Sequence, residues 1–361
     1  MKKSLIALSL AALPVAAFAD VTLYGQIKGG VEVSQTKVKV GGETTKDHTK
    51  TEIADFGSRI GFKGHEHVGN NLNAIWKVEQ KTSIAGTSSG WGNREAYIGL
   101  EGGFGTVRAG KIATQLDDMG TIDPWEYNNN ALGLGVFTRT GTKVVSARYD
   151  TPVFGGFSAN VQYTPRDNQS TSGRDDDLSD TSAYYAGLNY ENSGFFAQYG
   201  LGYKKSAYTV RNDDNTTSSK SGQVHRLEAG YDANNLFVGL GYQYTNGWDS
   251  VTTYTAAIHN EDYDDALRTD GAPGVKTHEA AVTGAYRFGN VTPRLSYAHG
   301  FKAKTASGKV DGTQYKQVVL GADYDFSKRT TAMVSAGWLK AGSGDNKAET
   351  TAGLVGLRHK F

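Results

Sequence analysis

The sequence predicts an all-β chain that closes into a transmembrane antiparallel β-barrel of 16 strands. Three observations lead to this prediction. Apolar and polar residues alternate with a period of two along most of the chain, short turns alternate with long polar loops, and an export signal precedes the first strand. Period-two alternation is typical of a half-buried strand. Alternately short and long connections are typical of an outer-membrane barrel with short periplasmic turns and long extracellular loops.

The N-terminal segment is predicted to be a signal peptide spanning residues 1–19. Lys2 and Lys3 precede the apolar stretch LIALSLAALPVAAF, and Ala17-Phe18-Ala19 has the small-x-small form of a cleavage site. The remaining residues, 20–361, are predicted to form a single transmembrane β-barrel domain.

Composition excludes several classes of protein. The chain has no cysteine, which excludes a disulfide scaffold and a thiolate metal site. Its 38 basic and 37 acidic residues give no case for nucleic acid as a partner. After the signal there is no apolar run long enough for a transmembrane helix. The mean hydropathy of −0.47 suits a barrel with a wet interior, which needs apolar side chains only on its outer face.

The predicted strands and loops follow from this alternation. Strands are expected near residues 21–34, 53–67, 71–82, 93–101, 104–112, 143–151, 156–164, 182–191, 194–205, 223–232, 235–245, 276–289, 291–303, 314–326, 329–340 and 349–361. The predicted outward residues are Val21, Leu23, Ile60, Phe62, Trp76, Leu240, Val282, Leu320 and Val334. Aromatic residues at strand ends, Tyr24 among them, are expected in girdles at the lipid headgroups. A soluble sheet would share the alternation but would need a polar exterior.

The last residue, Phe361, stands at the end of a stretch that still reads as a strand. Leu357 and Val355 lie on the same face. An unpaired strand edge in lipid would leave backbone groups without hydrogen bonds. The last strand is therefore predicted to pair with the first, near Val21.

Several stretches together resemble the neisserial-type general porins of the Gram-negative outer membrane. They are DVTLYGQIKGGVE, GSRIGFKG, NAIWKVEQ, WGNREAYIGL, ARYDTPVFGGFSANVQY, YRFGNVTPRLSYAHGF, DYDFSKRT and VGLRHKF. The resemblance implies a homotrimer that passes ions and small hydrophilic solutes by diffusion, without enzymatic activity or cofactor. It also implies contact with membrane lipid and lipopolysaccharide, and recognition of the terminal Phe361 by the barrel assembly machinery.

Loop three, which the resemblance places inside the lumen, is residues 112–137. It carries four acidic residues, Asp117, Asp118, Asp123 and Glu126. Pro124 and Trp125 give it an apolar anchor that a loop in bare solvent would not need. A simply solvated acidic loop is the alternative.

Basic residues on the lumen wall are expected to face loop three. By strand parity Lys28, Arg59, Lys63, Lys77 and Arg148 point inward, and Lys111 closes the strand before the loop. Acidic loop and basic wall would create a transverse field at the constriction. The alternative is that these charges are only hydrated.

Other functions remain open in the sequence. The long loops also suit an adhesin or immune-interaction barrel that binds host surfaces. A channel with an aromatic sugar slide would need inward aromatic residues, and most of the aromatic residues have outward parity. His65 and His67 offer only two ligands where structural zinc takes four, so no metal site is predicted. No catalytic constellation stands out.

Overall fold

The computed structural model describes residues 20–86, 90–166, 180–211, 216–258 and 273–361. Sixteen strands of the described chain form the barrel wall, one of them in two pieces, β3 and β4. Three short strands, β2, β16 and β17, extend hairpins at the end with the long loops. The strands are β1 (Asp20–Val40), β2 (Glu43–Lys46), β3 (Lys50–Asp55), β4 (Arg59–Gly69), β5 (Leu72–Lys81), β6 (Ala96–Gly102), β7 (Gly105–Ala113), β8 (Lys143–Asp150), β9 (Phe157–Thr164), β10 (Ala183–Asn192), β11 (Phe195–Arg211), β12 (Thr217–Ala233), β13 (Leu236–Ser250), β14 (Gly274–Tyr286), β15 (Val291–Gly300), β16 (Lys304–Thr305), β17 (Gly308–Lys309), β18 (Tyr315–Asp325), β19 (Thr330–Ser343) and β20 (Asn346–Lys360).

The barrel closes through antiparallel pairing of β1 with β20, from Gln26↔Lys360 to Lys39↔Lys347. Phe361 completes this seam, because its backbone N–H donates to Gly25 O and its carbonyl accepts from Gly25 N, each at 3.1 Å. A Cβ on Gly25 would lie 2.6 Å from the Phe361 ring, so glycine lets the ring lie flat on the barrel. The predicted closure is confirmed, and the edge strands are paired as lipid requires.

Two short turns show why the sequence places Asn residues between strands. Asn70 and Asn71 join β4 to β5 with φ of 51° and 58°, and Asn234 and Asn235 join β12 to β13 with φ of 55° and 65°. Positive φ at both central residues is the geometry of a tight hairpin turn, and Asn tolerates it.

The predicted outward face is also present in the structure. Leu240, Leu320 and Val334 expose 59%, 55% and 52% of their surface, as lipid-facing side chains do in an isolated barrel. One girdle prediction is wrong: Tyr24 faces the lumen, where its hydroxyl donates to Glu79 Oε2 at 3.1 Å.

The strand predicted at 53–67 is interrupted. Residues 56–58 leave the extended conformation between β3 and β4. Both pieces pair with β1, so they occupy a single place in the wall. The interruption turns Phe56 inward, where it is buried near Gly356 rather than exposed to lipid. Strict alternation across this break would give Phe56 the outward face that Ile60 and Phe62 have, so the continuous strand predicted at 53–67 is wrong at this point.

The apolar core of the described chain lies inside the barrel. Loop three contains two short helices, Gln115–Asp118 and Gly135–Thr138, and a 3-10 turn at Asn130–Leu132. Its buried residues Ile122, Leu132 and Phe137 belong to one cluster with the wall residues Val319 and Leu354. A further helix, Val251–Ile258, follows β13. No helix in the described ranges is long and apolar enough to cross a membrane.

Some predictions fall outside the described residues. The main one is the signal peptide at 1–19.

Candidate pore constriction

Loop three lies against the inner surface of the wall. The indole N–H of Trp125 donates to Ser296 Oγ on β15 at 2.8 Å. Gly120 N donates to Glu228 Oε2 on β12 at 3.0 Å, and Asn128 N donates to Glu32 Oε1 on β1 at 2.8 Å. These contacts lie on well-separated strands of the barrel, so the loop spans the lumen.

Glycines in the wall allow this close approach. A Cβ on Gly337 of β19 would lie 1.8 Å from Ala131 O, and one on Gly241 of β13 would lie 2.4 Å from Ile122 Cδ1. Real Cβ atoms do not come this close to other heavy atoms. Any side chain at these positions would push the loop away from the wall.

Wall side chains also donate to backbone carbonyls of the loop. Arg294 reaches Pro124 O at 2.8 Å, and Gln317 reaches Gly133 O at 2.5 Å. Backbone groups buried away from water need such partners. Loop three is thus held largely through its main chain, which leaves its acidic side chains available for other contacts.

Glu126 lies between two basic residues of the wall. Its carboxylate pairs with Lys28, and its other oxygen lies 3.1 Å from Arg358 Nη1. Lys28 and Glu126 were both predicted site residues, whereas Arg358 was not. The signal for Arg358 was present in the sequence, since it alternates with Leu357 and so has inward parity.

Asp117 and Asp118 meet the wall at β8. Asp117 pairs with Lys143, and Asp118 lies 2.6 Å from Arg148 Nη1. The Asp118 side chain is 42% exposed, whereas that of Arg148 is 5% exposed. Asp118 therefore presents its charge to the aqueous lumen, and Arg148 lies beneath it.

Asp123 does not reach the wall. Its carboxylate accepts from Leu134 N at 3.0 Å and from the Tyr127 hydroxyl at 2.8 Å, both within loop three. Burial raises the pKa of Asp123 to about 6, against these two hydrogen bonds, which lower it. The prediction that Asp123 faces the basic wall is wrong in geometry, because the loop folds back on this side chain.

The wall from β4 to β6 carries its own paired charges. Glu79 lies 3.4 Å from Arg59 Nε and 2.6 Å from Arg94 Nε. Lys77 pairs with Glu95. The predicted basic residues Arg59 and Lys77 do face the lumen, but their nearest acidic partners belong to the wall and not to loop three.

Lys63 differs from these residues. It is exposed, and its Nζ lies 5.6 Å from the centre of the Tyr24 ring, which is within the range of a cation–π contact. Among the described residues no carboxylate lies within ion-pair distance of it. Lys63 is therefore a lumen cation whose charge is not neutralised by a neighbour.

Lys111 faces the other way. It has the same parity as Val107, and its β8 partner Val145 is 42% exposed on the outer surface. Its Nζ donates to Asn93 O at 2.8 Å. Lys111 is therefore not part of the lumen wall, and the sequence prediction for it is wrong. Strand parity would have given the right face.

His65 and His67 are not joined by further metal-ligating side chains in the described part of the chain. His67 Nδ1 lies 3.1 Å from Asn73 Oδ1. In the described part of the chain no three His, Cys, Asp or Glu side chains converge on one point.

A closed barrel with an apolar exterior and a charged interior narrowed by an internal loop defines a channel of the bacterial outer membrane. The chain belongs to the Gram-negative porin family, whose model matches residues 28–361. Porins are channels, so the chain is an outer-membrane porin.

Relatives cover the whole chain. The major outer membrane protein P.IB of Neisseria sicca is 56% identical over 379 residues, with 100% of each chain covered. The protein of that name from Neisseria meningitidis serogroup A is 50% identical over 361 residues, also with 100% of each covered.

Solved structures share the fold. The anion-selective porin from Comamonas acidovorans gives a TM-score of 0.66 at 21% identity, covering 95% of this chain and 100% of that one. Salmonella typhi OmpF in complex with daunomycin gives a TM-score of 0.67 at 19% identity, covering 95% and 98%. These similarities concern the fold alone.

Proposed function

We propose that this porin is a general diffusion channel whose selectivity arises where loop three narrows the lumen. The observation that supports this most is the anchoring of loop three to β12, β15 and β18, which leaves the charged wall from β4 to β6 facing open lumen. Ions and small hydrophilic solutes are proposed to pass the exposed Asp118 of the loop and the exposed Lys63 of the wall on their way through the lumen. Opposite charges across a narrow passage create a transverse field that favours dipolar solutes.

The remaining residues set this field in different ways. Glu126 with Lys28, and Asp117 with Lys143, are close pairs that contribute a dipole rather than a net charge. Arg59 and Lys77 are partly neutralised by Glu79 and Glu95. The net potential at the constriction then depends most on the less compensated charges, Lys63 and Asp118.

The working unit is proposed to be a homotrimer in the outer membrane. OmpT of Vibrio cholerae, which has a TM-score of 0.63 to this chain at 16% identity, is described in a trimer form. Phe361 closes the barrel seam and is proposed as the signal that the assembly machinery reads. The signal peptide at 1–19 is proposed to direct export.

The experiment is conductance of the purified, detergent-folded protein in planar bilayers. We expect ohmic pores that appear and close in groups of three equal steps. Single steps would contradict the trimer while keeping the channel. Absence of conductance from folded protein would contradict the diffusion channel, and would favour a barrel that acts mainly through its long loops as an adhesin.

A further inference from the structure

We propose that the segment at the long-loop end of β13, residues 248–258, is a clamp that holds loop three in its position across the lumen. This clamp segment consists of the last residues of β13 and the helix Val251–Ile258. It contacts loop three near its beginning and just after its end. The inference rests on the proposed role of loop three as the constriction. It adds that a second inward-folded segment, and not the barrel wall alone, sets the position of this loop.

A bulge in β13 brings two consecutive side chains into the protein interior. The register with β14 shifts between Asn246 and Ser250, and Gly247 has a φ of 65°. Consecutive residues of a regular strand face opposite sides, whereas a bulge bends the strand and re-aims its side chains. Trp248 and Asp249 are both buried as a result, with 5% and 9% of their surface exposed.

Trp248 packs with the beginning of loop three. It belongs to one buried cluster with Leu116, in the first helix of the loop, and with Tyr185 on β10. The Nζ atom of Lys204 lies 3.9 Å from the centre of the indole ring, which is a cation–π contact. A Cβ on Gly202 would lie 2.9 Å from Trp248 Cη2, so glycine allows the indole to lie against β11. The indole is therefore fixed by the wall on one side and supports Leu116 on another.

Arg139 makes the second contact, just after the end of loop three. Its guanidinium lies 3.2 Å from Asp249 Oδ2 on the clamp segment and 2.7 Å from Glu279 Oε2 on β14. Its Cζ lies 4.7 Å from the centre of the Tyr254 ring. It also donates to Val136 O, in the second helix of loop three, at 3.1 Å. One buried cation therefore joins loop three, the wall and the clamp segment, where little water screens its interactions.

The helix of the clamp segment presents one face to the interior. Ser250 Oγ accepts from Thr253 N at 3.1 Å and caps the start of the helix. Tyr254 and Ile258 lie four residues apart on one face, and 0% and 2% of their surface is exposed. Ile258 belongs to the buried cluster that contains the apolar residues of loop three. Thr253 and Ala256, on the other face, are exposed. The buried face of the helix thus packs into the same core as loop three.

The ring of Tyr254, and not its hydroxyl, makes the contact with loop three. The hydroxyl is buried without a hydrogen-bond partner among the described residues. The ring lies over Arg139, and the absence of a side chain at Gly300 on β15 leaves room for it, since a Cβ there would lie 3.2 Å from Tyr254 Oη. Tyr254→Phe keeps the ring over the guanidinium, whereas Tyr254→Leu removes the ring and keeps an apolar side chain.

The test follows the position of loop three with a spin label. Because the chain has no cysteine, Thr121→Cys gives a single attachment site at an exposed residue of loop three. EPR spectra of the labelled, detergent-folded full chain give the ratio of mobile to immobile label. The variants are Tyr254→Leu, Tyr254→Phe and Asp249→Asn, and Ala256→Ser on the exposed face of the helix is the control. Heat-modifiable migration on a gel verifies that each variant is folded.

We expect the ratio of mobile to immobile label to rise about tenfold in Tyr254→Leu, since a desolvated cation–π contact corresponds to a factor of about that size. Asp249→Asn should raise the ratio too, because Arg139 then loses one of its two carboxylate partners. Tyr254→Phe and Ala256→Ser should leave the ratio at the parent value.

An unchanged ratio in the folded Tyr254→Leu variant would overturn the clamp. An equal rise in Tyr254→Phe would also overturn it, because the ring contact with Arg139 would then not be what holds the loop. A second label, attached through Ala256→Cys, reports on the helix itself. If that label becomes mobile in Tyr254→Leu while the label on loop three does not, the helix packs only on the wall and the proposal fails. The spectra do not depend on conduction, so failure of the diffusion channel would appear separately, as absent conductance in bilayers.

Discussion

The two sides of the lumen wall share one alternation of residues, yet their inward positions differ. From β12 to β19 these positions are small or neutral, or are buried charges such as Arg226 and Glu228, and loop three covers them. From β4 to β6 several of them are charged and partly exposed to water, as at Lys63 and Arg59. Where protein covers the wall, packing and backbone hydrogen bonds dominate. Where water covers it, charges remain solvated and act on passing ions.

The sharpest test of this difference removes one arginine from each side. Arg226 is fully buried, lies 3.4 Å from Glu228, and donates to Leu116 O. Arg226→Met should lower the free energy of unfolding by about 3–5 kcal/mol, because it leaves the buried Glu228 carboxylate without its cation. Arg59→Met should lower the free energy of unfolding by about 1 kcal/mol or less. The Arg59 side chain is 33% exposed, and Glu79 would still be paired with Arg94.

Urea unfolding in detergent measures both changes. If the two variants lose similar amounts of unfolding free energy, water reaches both sides of the lumen wall alike, and the comparison fails.

A smaller effect is expected where loop three touches glycine. Gly337→Ala places a methyl group against Ala131 O and should cost about 1–3 kcal/mol by overpacking. It should also displace the loop and change single-channel conductance. Gly353→Ala is the matched control on the next strand, because a Cβ there would lie no closer than 3.7 Å to another heavy atom. If the two variants conduct alike, loop three is not held against β19.

The change expected at Asp123 appears only as a dependence on pH. Its pKa is raised to about 6, above the value of about 3.9 for an unfolded Asp. The folded loop therefore binds a proton more readily, and its stability rises as pH falls from about 6 toward 4. Relative to Asp123→Asn, which does not titrate, the parent should gain stability as pH falls over this range, lose the same amount as pH rises back through about 6, and show no further change at higher pH. Parallel urea midpoints for both proteins from pH 4 to 8 would contradict the burial of this carboxylate.

The sequence predicted the barrel well because period two is a local signal. Each strand alternates on its own, and tight turns such as that at Asn234 and Asn235 are local too. The break between β3 and β4, which turns Phe56 inward, was not predicted because it has no mark in the alternation. Asp123 was misplaced because its partner Leu134 lies across a fold of loop three, and nothing local specifies that fold. The outward position of Lys111 could have been predicted from strand parity alone, because Lys111 is four residues from Val107 on the same strand.

For the charged residues of the lumen, strand parity predicted the face of each side chain but not its partners. Parity placed Lys28 and Arg148 on the lumen side, where they meet Glu126 and Asp118. It could not reveal that Arg59 and Lys77 find carboxylates on neighbouring strands, because that depends on register between strands. Register across the barrel is set by the whole closed sheet and cannot be read from one segment.

The central claim is that the exposed lumen charges Lys63 and Asp118 set ion selectivity, and reversal potential in a KCl gradient tests it most directly. Lys63→Gln should shift the reversal potential toward cations, and Asp118→Asn should shift it toward anions. Lys111→Gln is the control, because Lys111 lies on the outer face, and it should leave the value unchanged. Both shifts should shrink in high salt, because the Debye length falls from about 10 Å at 0.1 M to about 3 Å at 1 M. An unchanged reversal potential in Lys63→Gln, or an equal shift in Lys111→Gln, would contradict the account.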